Sequence, residues 1–153
     1  MKFHQHTSIA ASKAIRMIGV IRKTFTSMSI DTFLRLYTTL VHPHLEYGNV
    51  IWGPFYTLDQ IKIENVQRMA TRMVVSIKHL SYEQRLWRLG LPSLRYRRQR
   101  GDMICVYSLF NNIYDLDCFQ FFTMAGSVST RGHPFKPFKP QLLHDVRSHA
   151  FSH

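Results

Sequence analysis

Acidic residues are scarce in this chain: 9 aspartates and glutamates face 20 lysines and arginines, for a net charge of +11. That imbalance favours an anionic partner, nucleic acid or a membrane surface, and says nothing about fold. Cysteine is scarcer still. Cys105 and Cys118 are too few for a disulfide framework, and Cys105 falls within a predicted helix, so a reducing compartment is the default. No apolar run approaches the ~20 residues of a membrane span, and the start MKFHQHTSIAASKAIR lacks the apolar core of a signal peptide. A glycine-rich phosphate loop, a nucleophile elbow and a Cys–His combination are all missing. These absences predict an intracellular protein, nuclear or cytoplasmic. It is expected to be neither secreted nor membrane-bound, and to use no cofactor and no small-molecule substrate.

What is present is helical periodicity and enough apolar residues for a core, 45% of 153. Thr7 or Ser8 can cap a first helix with Ala10, Ala14, Met17, Ile18, Ile21 and Phe25 on one stripe. Ser29 caps a second, with Phe33, Leu36, Tyr37, Leu40 and Val41 on one face. Pro43 bends or ends it and leaves HPHLEYGNVIWGP as an aromatic turn region. A third helix begins near Leu58 and buries Ile63, Val66, Ala70, Met73, Val74 and Ile77. The expected fold class is mainly α: an irregular bundle of about five helices with an extended, proline-containing C-terminal tail. The expected division is a helical bundle over 1–114 and a loop-rich extension over 115–153. In that extension, three prolines in TRGHPFKPFKP remove backbone donors.

The stretch SYEQRLWRLGLPSLRYRRQRGDMICVYSLF, Ser81 to Phe110, holds the densest signals. Ser81 and Gln84 have capping-box spacing, Gly90 suits a left-handed C-cap, and Pro92 blocks continuation. Ser93 then caps a long helix whose apolar face is Tyr96, Met103, Val106, Tyr107 and Phe110. Arg95, Arg97, Arg98 and Arg100 spread over the opposite arc, and mutual repulsion calls for an anion nearby. One reading is a phosphate-contacting helix start, where free backbone amides and the positive dipole end add to the side chains. The plainer reading is a solvated face partnered by Asp102 and distant carboxylates. Arg68 and Arg72, opposite the stripe of the third helix, extend the basic surface, with Glu64 placed for an ordinary i,i+4 pair to Arg68. Lys13, Arg16, Lys23 and Lys62 carry less weight.

Metal and catalytic signals are weak. His4-x-His6 and His42-x-His44 have no cysteine or carboxylate partner at a spacing that would complete a zinc site. Asp115-Leu-Asp117 is the one close carboxylate pair, and it follows a helix end, where aspartate is a routine turn residue. No catalytic residue and no metal ligand is expected.

Four blocks together carry a resemblance: LVHPHLEYGNVIW (Leu40 to Trp52), IENVQRMATRMV (Ile63 to Val74), LSYEQRLWRLGLPSLRYRRQRGDMICVY (Leu80 to Tyr107) and TRGHPFKPFKP (Thr130 to Pro140). In order and spacing the chain resembles the region after the catalytic palm in reverse transcriptases of non-LTR (LINE-type) retrotransposons, of the jockey and chicken-repeat kind. The resemblance runs from about Lys2 to Phe151. It implies a thumb-like helical module that grips a primer–template duplex. The family's fingers and palm, with the paired aspartates that bind two catalytic metals, would lie upstream of Met1, and Asp115 and Asp117 do not occupy that motif. The Trp-Asn-x-Leu-Pro ending frequent in the family is also missing. The expected origin is therefore a reading frame cut from a decayed element, with no polymerase chemistry of its own.

The expected function is non-specific binding of RNA, DNA or hybrid duplex through phosphates, using Arg68, Arg72, Arg95, Arg97, Arg98 and Arg100. The competing expectation is a helical protein-interaction module anchored by exposed Tyr47, Trp52, Phe55 and Tyr56, with self-association through uncovered apolar stripes. A third is a coding remnant with no function. Exposure of those aromatics favours the interaction module; a basic surface over buried aromatics favours nucleic acid.

Overall fold

The computed structural model describes residues 4–48, 53–54, 56–114, 116–124 and 138. The fold is mainly α, an irregular helical bundle, with no β-strand among the described residues. Contacts divide it into two compact units, residues 2–99 and residues 100–153.

The first unit begins with α1 (His4–Thr24). Its start precedes the cap expected at Thr7 or Ser8, and Thr7 is buried within it. Tertiary contacts explain the extra turn. His4 Nδ1 lies 2.6 Å from the Asp59 carboxylate, and Lys62 Nζ donates to Ser8 Oγ at 3.2 Å. Ala10, Ala14, Ile18 and Ile21 are buried as the stripe requires, whereas Phe25 lies past the helix end and is exposed.

Ser29 caps α2 (Ile30–Leu36), its Oγ accepting from the Thr32 amide at 3.2 Å. Pro43 does not end this helical run. A π-helical turn over Tyr37–Val41 leads into α3 (His42–Glu46), with the proline in its first turn. The wider turn relieves the clash between the proline ring and the carbonyl one turn back. Thr38 and Thr39 hydroxyls donate to the carbonyls of Leu34 and Arg35, both at 2.7 Å. The expected turn region is thus helical through Glu46 and turns only at Tyr47 and Gly48; residues 49–52 lie outside the described residues. Rings of Phe33 and Tyr37 stack at 5.5 Å in the core.

Next come α4 (Thr57–Thr71), a 3-10 turn at Val75–Ile77, and α5 (Tyr82–Leu89). Ile63, Val66 and Ala70 pack inward from α4. Val74 and Ile77 are also buried, though from the connecting segment, because α4 ends six residues before Ile77. Each large aliphatic side chain so buried contributes about 1.5–3 kcal/mol. The capping box at Ser81 and Gln84 forms in both directions, and Gly90 closes α5 with φ at 63°. A side chain there would be strained by about 1 kcal/mol. α6 (Leu94–Phe110) follows, with Ser93 Oγ accepting from the Tyr96 amide at 3.2 Å.

The expected apolar face of α6 is not the buried one. Tyr96, Met103 and Tyr107 are exposed, and Val106 and Phe110 are half-buried. The buried positions are Leu94 and Arg98 in the first unit and Ser108 and Leu109 in the second, none of them on the expected face.

In the second unit, Asn112 adopts φ 52° and ends α6, while the Ile113 amide returns to the Ser108 carbonyl at 2.9 Å. Phe110 and Phe122 stack at 5.5 Å. Asp117 Oδ1 accepts from the Phe119 amide at 2.9 Å, the turn role anticipated for it. The Phe138 amide donates to the Thr123 carbonyl. The rest of the proline-containing tail, and Asp115, lie outside the described residues.

Candidate nucleic-acid interface

The four arginines of α6 do not form one face. At 100° per residue they span most of the circumference, and their surroundings differ accordingly. Arg97 is claimed by Glu46: Nε and Nη2 donate to the two carboxylate oxygens at 2.6 and 3.0 Å, a bidentate pair. Arg98 is 9% exposed, within the buried row. Arg95 and Arg100 are exposed. Arg100 belongs to the second compact unit and the other three to the first.

The amides at the helix start are also taken. Glu64, thirty residues earlier on α4, accepts through Oε2 from the Leu94 amide at 3.1 Å and the Arg95 amide at 3.3 Å. Its Oε1 accepts from the Tyr82 hydroxyl. A carboxylate at the positive end of the helix dipole is stabilising. It also removes the free amides on which a phosphate site at this terminus depends. Glu64 is accordingly spent on α6 and Tyr82 rather than on an i,i+4 pair with Arg68. Glu46 and Glu64, the carboxylates at the start of α6, come from residues too distant in sequence to be matched to it beforehand.

Burial alone would raise the Glu46 carboxyl, but hydrogen bonds from His42 and Arg97 and their positive charge outweigh it. The group is held below its ordinary value of 4.5. His42 Nε2 stands 3.2 Å from Glu46, so this histidine is taken up by a carboxylate contact, as His4 is by Asp59. No group of three or more His, Cys, Asp or Glu among the described residues is placed to hold a metal.

A different cluster gathers around Tyr82. The Arg68 guanidinium lies 4.9 Å from the ring centroid and that of Arg85 5.8 Å. Such contacts are worth about 0.5–1 kcal/mol at exposed sites and more when desolvated. Arg85 is only 3% exposed. Its Nε donates to Thr71 Oγ1 at 3.0 Å and its Nη1 to the Leu80 carbonyl at 2.6 Å. Burial lowers its pKa first, and the charges of Arg72 and Arg68 add to that. Among the described residues no carboxylate stands within ion-pair distance of Arg68, Arg72 or Arg85. A buried guanidinium lacking a counter-charge is costly, and two further guanidiniums beside it increase the cost.

Of the six expected residues, then, Arg68 and Arg72 sit together in this cluster. Arg95 and Arg100 are exposed elsewhere, Arg97 is paired and Arg98 is buried. Arg85 was missed. Its signal lay in the α5 stripe, where Tyr82, Arg85, Leu86 and Leu89 share the i, i+3, i+4, i+7 face and one member is a cation. Of the aromatics proposed as an exposed anchor, Tyr47 is 82% and Tyr56 53% exposed; Trp52 and Phe55 lie outside the described residues.

Among the described residues no helix is long and apolar enough to cross a membrane. No protein-family model, curated protein or solved structure matches the chain.

Proposed function

We propose that this chain is a non-catalytic helical module of the thumb type, resembling that of non-LTR retrotransposon reverse transcriptases, and that it binds nucleic acid through phosphates. The carrying observation is the pair Arg68 and Arg72, exposed and with no carboxylate at ion-pair distance among the described residues, beside the buried guanidinium of Arg85. A phosphodiester supplies the counter-charge that these two exposed guanidiniums lack, in a form that guanidinium recognises well. The chain's net charge of +11 brings a polyanion to it at long range. Phosphate contacts carry no sequence information, so RNA, DNA and hybrid duplexes should bind with little regard to base order. The test compares wild type with an Arg68→Ala/Arg72→Ala variant on duplex and hybrid oligonucleotides of unrelated sequence. Similar losses on all of them support the reading; unchanged affinity sinks it.

One observation favours a second reading. Tyr47, Tyr56 and Leu58 are each exposed. Exposed aromatics of this kind serve as anchors at protein interfaces. Under this reading the exposed rings mediate self-association. Sedimentation should then show concentration-dependent mass that Tyr47→Ser/Tyr56→Ser abolishes, and a monomer at all concentrations would exclude it.

A further inference from the structure

α5 carries a second aromatic side chain, placed where packing gives it nothing. Tyr82, Arg85, Leu86 and Leu89 take the inward side, and Trp87 is 79% exposed. Leaving an indole in water forgoes the burial energy that usually justifies the residue. Its one described ring contact is with a cation: the Arg88 guanidinium lies 5.9 Å from the ring centroid. Arg88 is also three residues beyond Arg85, one turn along the same helix. The indole, its arginine, Tyr82 and Arg85 therefore share a single eight-residue element, while Arg68 and Arg72 stand at the end of α4. The only acid on that element is Glu83, in its first turn.

We propose that Trp87 and Arg88 form a stacking platform for an unpaired nucleobase, making single-stranded nucleic acid the preferred ligand class. This rests on the phosphate-binding reading above. The faces of paired bases are hidden within a duplex, whereas every unpaired base offers a π-face that an exposed indole accepts regardless of sequence. Arg88 adds a cation to the stack, and the exposed Arg68 and Arg72 are available to phosphates of the same strand. Tryptophan and arginine are also favoured at protein interfaces. The exposed arginines Arg68, Arg72 and Arg88, with the net charge of +11, favour a polyanion over a protein.

The chain has two tryptophans, so a Trp52→Phe variant leaves Trp87 as the sole indole reporter. Its fluorescence is to be titrated with an unlabelled single-stranded oligonucleotide and with a blunt duplex of the same length. In parallel, anisotropy of labelled oligonucleotides is to be measured for the otherwise native chain and for Trp87→Ala and Trp87→Phe. The proposal expects quenching by the single strand. It also expects a roughly 5- to 150-fold loss of single-strand affinity in Trp87→Ala, with most of it retained in Trp87→Phe. Duplex affinity should change less than about two-fold, because phosphate contacts dominate there. Binding that persists and still depends on Arg68 and Arg72, but ignores Trp87, overturns the platform and leaves the phosphate reading standing. No binding to either oligonucleotide overturns both.

Discussion

Glu64 accepts a hydrogen bond from the backbone amide of Leu94 at 3.1 Å, joining the middle of α4 to the first residue of α6. The same carboxylate takes the Arg95 amide and the Tyr82 hydroxyl. One side chain thus serves three donors from the two elements that follow it. Hydrogen bonds to a charged acceptor are worth about 1.5–3 kcal/mol each and are not additive here, since the donors are left unsatisfied together. Glu64→Ala should cost about 2–4 kcal/mol by urea denaturation, and Glu64→Gln, which keeps one acceptor, clearly less. Equal losses in the two variants would mean that the carboxylate's charge and second oxygen are irrelevant.

The Arg97–Glu46 pair makes a second prediction, in pH. Glu46 titrates below its ordinary value in the folded chain. It therefore contributes stability that is fully present above that ordinary value and is lost as pH falls through the lowered one. Both side chains are partly solvated, so the contribution should stay within about 1 kcal/mol. Unfolding free energy of the native chain should drop more steeply between pH 6 and pH 3 than that of Glu46→Gln. Parallel curves would contradict the pairing.

Tyr37 is the third case. Its hydroxyl is buried without a hydrogen-bond partner among the described residues, while its ring stacks on Phe33. Burial, and then the charges of Glu46 and Glu64, raise its pKa far above the phenolic range, so it stays neutral. Removing an unsatisfied buried hydroxyl while keeping the ring recovers desolvation free energy. Tyr37→Phe should raise stability by about 1 kcal/mol. A loss of that size would reveal a partner for the hydroxyl.

Local chemistry made much of this architecture legible. The Ser29 cap, the Ser81–Gln84 box and the left-handed Gly90 all depend on residues within a few positions of one another, and each formed as read. Failures came where distant groups decide. α1 starts early because Asp59 and Lys62 hold its first turns. α6 turns its other side inward, so apolar periodicity alone chose the wrong face. The arginines of α6 looked short of acids because Glu46 and Glu64 are 51 and 31 residues away. Arg85 was not singled out because the short helix after Ser81 was read only for its caps. Only the burial of Arg85 shows that the stripe continues through it.

Absence of polymerase chemistry is a further expectation of the proposed function. Two-metal phosphoryl transfer needs carboxylates fixed around ions roughly 3.5–4 Å apart, and Asp117 is used to hold the Phe119 amide. The purified chain should extend no primer on RNA or DNA template with magnesium or manganese. Template-dependent extension that disappears in an Asp115→Ala/Asp117→Ala variant would refute this.

The most direct test of phosphate binding at the Tyr82 cluster is the salt dependence of affinity. Each phosphate neutralised on duplex DNA contributes roughly −0.9 to the slope of log affinity against log salt. Arg68→Ala/Arg72→Ala should flatten that slope by about one to two units. A control variant, Arg22→Ala/Lys23→Ala in the last turn of α1, should change it less. Arg97 and Arg98 are unsuitable probes, since one is bound to Glu46 and the other is buried. A slope unchanged in the Arg68/Arg72 variant, or flattened equally in the control, would contradict the account.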